Sequence, residues 1–139
     1  MRKISGLALI MIGLLHSLIA LVMPGAIGFS DIWQEIVNVG VFDAVSVNSL
    51  RIWGYYWFLM TGFLVILYGF LCYWIENQLS QTLPLFVGLG LLAVAGFGIV
   101  LDIDTGCWLI LVVAVNAIAA SQRPHPSHKL GIESSEKRT

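Results

Sequence analysis

The chain has 139 residues, of which 58% are hydrophobic and 11% charged, with a formal net charge of −1. A soluble domain has roughly 45–50% apolar and about 25% charged residues, so this composition excludes an ordinary water-exposed surface and points to an integral membrane protein. The near-zero net charge supplies no basic footprint and excludes nucleic acid as a partner.

A hydrocarbon core of about 30 Å takes roughly 17–25 helical residues to cross, and four apolar runs approach that length. The first covers residues 4–23 and stops at Pro24-Gly25. Arg2 and Lys3 ahead of it also give it the look of a secretory signal. Its length exceeds the roughly 7–15 residues of a signal core and no clean small-x-small site follows, so it reads as a retained helix. Gly6, Gly13, Ser17 and Ala20 recur along one face of it, the small-residue pattern that lets helices approach in lipid.

His16 falls on that same face and is expected to point into a bundle, with Thr61, Trp57 and Asn116 as its polar or aromatic neighbours at the same depth. Two readings of it stay open. A neutral ring that hydrogen-bonds a neighbouring helix glues the bundle. An ionisable group in a span also marks ligand contact or proton handling.

After the first run, Ser30 or Asp31 is placed to cap a short helix carrying Ile32, Trp33, Ile36, Val37 and Val39 on one side and Asp31, Gln34, Glu35 and Asn38 on the other. This is an amphipathic helix on the outer interface. It is read either as a connector resting on the membrane or as a lid over a cavity. Its polar face is acidic, which disfavours an anchor to anionic lipid.

The second run, 52–75, is bracketed by Arg51 and Glu76. Aromatic residues gather at both ends, and Trp53 to Trp74 spans about 31 Å at about 1.5 Å per residue, one membrane thickness between two aromatic belts. Gly62 and Gly69 give it a small-residue face.

Pro84 opens the third run, 84–101, which is rich in glycine (Gly88, Gly90, Gly96, Gly98). The turn Asp102-Ile-Asp-Thr-Gly-Cys-Trp108 follows. It lacks the later Glu of a calcium loop and reads as a tight outer turn whose Asp and Thr cap the fourth run while Trp108 anchors it. That fourth run, 107–120, carries Ala114, Ala117 and Ser121 as its small face and borrows flanking residues to span.

The tail from Arg123 is polar and proline-punctuated, so it reads as disordered, and His125 and His128 within it as solvated side chains rather than a metal hook. Two units result: a four-helix transmembrane domain over 1–122 and a disordered cytoplasmic tail over 123–139. Arg2, Lys3, Arg123, Lys129, Lys137 and Arg138 lie at the two ends, whereas Asp31, Glu35, Asp43, Asp102 and Asp104 face a lone Arg51 in the outer loops. The positive-inside rule puts both termini in the cytoplasm, across a bacterial inner membrane.

The fold expected is an all-α, antiparallel four-helix membrane bundle with one short interfacial helix between the first two spans. No span interior carries Asp or Glu, which argues against a proton-coupled exporter. Cys72 and Cys107 fall at opposite ends of two spans that run the same way, about 20 Å or more apart, whereas a disulfide needs Cα atoms within about 7 Å. A quinone-linked thiol oxidoreductase is disfavoured. No histidine pair holds a haem and no glycine-rich loop holds phosphate, so no cofactor and no metal are implied.

Gly6, Gly13 and His16 in the first span, the "WFLMTG" stretch from Trp57 to Gly62 in the second, and the polar turn with Gly106 and Trp108 opening a short fourth helix carry a likeness. The chain resembles small four-helix bacterial integral membrane proteins of the domain-of-unknown-function type over residues 1–122. The resemblance implies no activity and brings no catalytic residue.

The function expected is binding of a lipid-like small molecule or a membrane protein partner, with His16, Trp57, Thr61 and Asn116 as ligand contacts. The alternative is a small intramembrane enzyme on a lipid or isoprenoid, with His16 as acid–base and Glu35 or Asp102 assisting. A third reading, a transport or channel subunit, requires a homo-oligomer because one such bundle leaves little room for a pore.

Overall fold

A computed structural model describes residues 4–40, 49–79, 81–103 and 106–122. The expectations for Arg2, Lys3, Asp43, Asp104 and the tail with His125 and His128 lie outside them. Among the described residues there are five α-helices and no strand: α1 (Ser5–Val22), α2 (Ile32–Val39), α3 (Leu50–Asn77), α4 (Leu85–Leu101) and α5 (Cys107–Ser121), with a 3-10 turn at Pro24–Ile27. Two of them, α1 and α3, are long and apolar enough to cross a membrane by length and composition, while α4 and α5 are apolar but shorter. Much of the apolar surface faces outward: Met11, Leu18, Leu67, Phe86, Val94 and Val100 are all exposed.

The most extensive pairings are α1 with α3 and α4 with α5, and a smaller contact of α1 with α5 joins the pairs. A seven-residue repeat explains the first. Gly6, Gly13 and Ala20 on α1 meet Gly62 and Gly69 on α3, and such a repeat keeps one face turned to its partner along the whole contact. A Cβ on Gly6 would strike the backbone at Cys72 and Tyr73, and one on Gly69 would lie 2.7 Å from the Ile10 nitrogen. These glycines are therefore required by backbone approach.

The repeat continues past the glycines in both directions, into Tyr55 and Glu76, and each end closes with a polar clasp. At one end the Tyr55 hydroxyl donates to the Ala20 carbonyl at 3.1 Å. At the other, the Glu76 carboxylate accepts from the Ser5 and Gly6 N–H groups at 3.2 and 2.9 Å. The residue before α1 is Ile4, which has no side chain able to cap, so α3 supplies the cap of α1. Glu76, read from sequence as a flanking charge, is only 4% exposed.

On α4, Gly88 and Gly98 take the corresponding role against Ile118 and Cys107 of α5, whereas Gly90 and Gly96 border open space. Trp108 closes the α4–α5 turn by donating its indole N–H to the Ile103 carbonyl at 2.9 Å. The N-cap position of α5 is Gly106, which has no side chain to cap with, and Asp104 and Thr105, expected as caps, lie outside the described residues.

Buried side chains form two separate cores. One gathers Leu9, Cys72, Leu83, Val87, Leu91, Val113 and Ala114, drawn from α1, α3, α4 and α5 and the segment leading into α4. The other gathers Ala20, Ile32, Ile36, Ile52 and Tyr55, from α1, α2 and α3 only. Thus α4 and α5 leave the core before α1 and α3 reach the far end.

Within the second core, α2 buries Ile32 and Ile36 as its pattern requires, but Val37 and Trp33 face outward, Trp33 with its ring 5.7 Å from Tyr55. Neither Ser30 nor Asp31 makes a side-chain cap; Asp31 instead takes a left-handed backbone, φ 60°, which Asp tolerates better than most residues. Ser49 caps α3 by accepting from the Ile52 N–H and also donates to Glu35 at 2.8 Å.

Candidate functional site

Where α4 and α5 part from α1 and α3 there is a cavity of about 520 Å³. Its walls come from Ile12, Gly13, His16 and Ile19 of α1, Phe58, Thr61 and Val65 of α3, and Leu109 and Ile110 of α5. Ala26 and Ile27 of the 3-10 turn, with Asp102, Gly106 and Cys107 of the α4–α5 connection, also line it. The volume lies in the range of small-molecule pockets, and apolar walls with a few convergent polar groups are their usual make-up.

His16 is fixed by α3. Its Nε2 lies 2.9 Å from the Phe58 carbonyl oxygen, and its ring stacks on the Phe58 ring with centroids 4.0 Å apart and planes 20° apart. A carbonyl only accepts, so Nε2 carries the proton and donates. Gly62 permits this approach, because a Cβ there would come within 2.9 Å of the imidazole Cδ2. Ser17 packs into the same gap, and its buried hydroxyl has no hydrogen-bond partner.

Of the residues expected at the site, the structure brings His16, Thr61 and Asp102 to one cavity. The register of α5 explains why a turn residue reaches the depth of a histidine inside α1. Asn116 donates to the Ser5 hydroxyl at 3.0 Å, near the start of α1, so α5 is shifted along α1 and begins beside His16 rather than at the end of the bundle. The turn that carries Asp102 comes down with it.

The same shift removes Asn116 from the site. It lies nine residues along α5 from Cys107, about 14 Å of helix rise from the cavity, and belongs to the Glu76–Ser5 cluster instead. Trp57, also expected as a contact, is 53% exposed and stacks edge-on with Trp53, outside the cavity lining. Glu35, expected as an assisting carboxylate, is paired with Arg51 at 3.3 Å and bonded to Ser49, while Arg51 also donates to the Ser30 carbonyl. These contacts strap α2 to the start of α3. Helix α2 contributes no residue to the cavity, so it is not a lid over His16.

A second depression, an apolar groove of about 900 Å³, runs between α3 and α4, which make no extensive contact with each other. Leu64, Leu67, Tyr68 and Leu71 form one wall, Leu91 and Val94 the other. Thr61, Val65 and Ile110 line both the groove and the His16 cavity, so the two spaces adjoin. Sequence reasoning did not foresee Phe58 or the groove. The i−4 position of Phe58 relative to Gly62 was the available signal, because a helical glycine exposes the carbonyl one turn before it.

No group of three His, Cys, Asp or Glu side chains converges among the described residues, and neither cysteine is in a disulfide. The molecule thus belongs to a class of apolar, all-helical proteins with a histidine-bearing cavity between helix pairs. The chain is a member of the family described as "Family of unknown function (DUF6463)", whose model matches residues 1–124. No curated protein and no solved structure matches it.

Proposed function

We propose that the protein is a four-helix bundle of a bacterial inner membrane, with both termini cytoplasmic, that binds a lipid-like molecule in the His16 cavity. The observation that carries this reading is the adjoining pair of spaces, a cavity bearing His16, Asp102 and Thr61 next to a groove walled by leucine, valine and tyrosine. An amphiphile needs both. The exposed apolar side chains of all four long helices favour lipid as the surrounding medium, since a soluble monomer rarely exposes so continuous an apolar surface. Helices of 17 and 15 residues rise only about 26 and 23 Å, short of a 30 Å core, so α4 and α5 leave room at the outer face for a polar mouth.

Native mass spectrometry of the gently solubilised protein tests this, wild type beside His16→Ala, with folding checked by circular dichroism. A defined lipid or isoprenoid retained by the wild type and lost from the folded variant is the expected result. If neither form retains a small molecule, the ligand reading is abandoned and His16 is a packing residue.

The shared position of His16 and Asp102 also favours a second reading, a small enzyme acting on the bound lipid with His16 as base. It requires conversion of the retained molecule by the wild type and none by His16→Ala.

A further inference from the structure

Resting on the reading that the His16 cavity binds an amphiphile, we infer that it selects a head group that donates hydrogen bonds, an alcohol or an amine, and rejects phosphate and carboxylate heads. Two polar side chains at the cavity, His16 and Thr61, have already spent their protons elsewhere. His16 uses Nε2–H on the Phe58 carbonyl, and in that tautomer Nδ1 carries the acceptor lone pair. Thr61 donates its hydroxyl proton to the Trp57 carbonyl at 2.8 Å, so only oxygen lone pairs remain for a ligand. Asp102 adds to the lining a carboxylate, a group whose oxygens accept.

Charge points the same way. Among the described residues no Lys or Arg lines either space, and Arg51 is committed to Glu35 and Ser30. An anionic head entering a largely apolar cavity with no cation meets the full cost of its desolvation and the repulsion of Asp102. The start of α5, at Gly106 and Cys107, is the feature that favours an anion, and the Asp102 carboxylate lines the same cavity. A hydroxyl or ammonium, by contrast, meets a lining whose His16, Thr61 and Asp102 side chains carry acceptor lone pairs. The apolar groove that meets the cavity at Thr61, Val65 and Ile110 sets the other end of the ligand: a hydrocarbon chain lying between α3 and α4.

The test is competition by native mass spectrometry of the whole protein in mild detergent, with four probes sharing one chain: hexadecan-1-ol, hexadecylamine, hexadecyl phosphate and palmitate. The alcohol and the amine are expected to be retained at least about tenfold better than the two anions, and Asp102→Asn to lower retention of the amine while sparing the alcohol. Retention of hexadecyl phosphate or palmitate at the level of the alcohol, lost in His16→Ala, overturns the head-group inference and leaves the ligand reading standing. Retention of none of the four, by a protein whose circular dichroism is native, overturns both.

Discussion

Replacing Glu76 by alanine removes the cap that α3 provides to α1. In the wild type both carboxylate oxygens are engaged, one by the Ser5 N–H and one by the Gly6 N–H, in a site where Ser5 and Glu76 are 2% and 4% exposed. Truncation leaves two buried donors without partners. Each unmade buried hydrogen bond costs about 1–3 kcal/mol, and losing a negative charge at a helix N-terminus about 0.3–1 kcal/mol more. The total for Glu76→Ala is about 2–7 kcal/mol, toward the lower end where water can enter the vacated site from the end of the bundle.

Glu76→Gln keeps the shape but offers one carbonyl oxygen and turns an NH2 group toward the second donor. It is expected to fall between the two, at about half the loss. Chemical unfolding in detergent micelles followed by circular dichroism gives the ranking: wild type, then Gln, then Ala. A Glu76→Ala protein within about 0.5 kcal/mol of wild type, the range of an ordinary surface substitution, refutes the capping argument.

Four further outcomes follow from the same contacts. Gly69→Leu places a side chain against the Ile10 backbone and is expected to separate α1 from α3, whereas Gly90→Ala and Gly96→Ala, which border open space, gain up to about 0.5–1 kcal/mol in helix propensity; melting temperatures distinguish the two classes. Tyr55→Phe deletes the bond to the Ala20 carbonyl and costs about 1 kcal/mol, read in the same unfolding assay. Ser17→Ala removes a buried hydroxyl that has no partner and leaves stability unchanged or raised; a loss above about 1 kcal/mol contradicts that environment. Arg51→Ala breaks a half-exposed ion pair worth at most about 1 kcal/mol and is expected to increase amide exchange in α2 with little change in melting temperature.

The helices were legible because membrane-length apolar runs and their Pro and Gly punctuation are local signals, and each boundary from sequence falls within two residues of the helix observed. The small-residue face of α1 was legible for the same reason. Glu76 was not, because a charge at the edge of an apolar run resembles an interfacial flank. Its seven-residue step from Gly69 was the sign that it continues the packing face.

Asn116 and Asp102 show the other limit. Depth counted from the ends of spans assumes that all helices start at one plane, and α5 is shifted along α1 by the roughly 9 Å between His16 and the end of α1, between one and two turns. It exchanges Asn116 for Asp102 beside His16. Such an offset is a tertiary quantity, set by how Gly88 and Gly98 seat α5 on α4 and by the bond from Asn116 to Ser5.

Photolabelling in native membranes tests the central claim most directly. A long-chain alcohol bearing a diazirine beside its head group is irradiated with the protein, and the adducts are located by peptide mass spectrometry, with and without excess unlabelled hexadecan-1-ol. The account expects competed labels at the cavity, on the peptides holding Ile12, Ile19 and Leu109. Labels spread over the exposed faces of α3 and α4, unaffected by the competitor, would show that lipid merely surrounds this protein and that the His16 cavity is not a binding site.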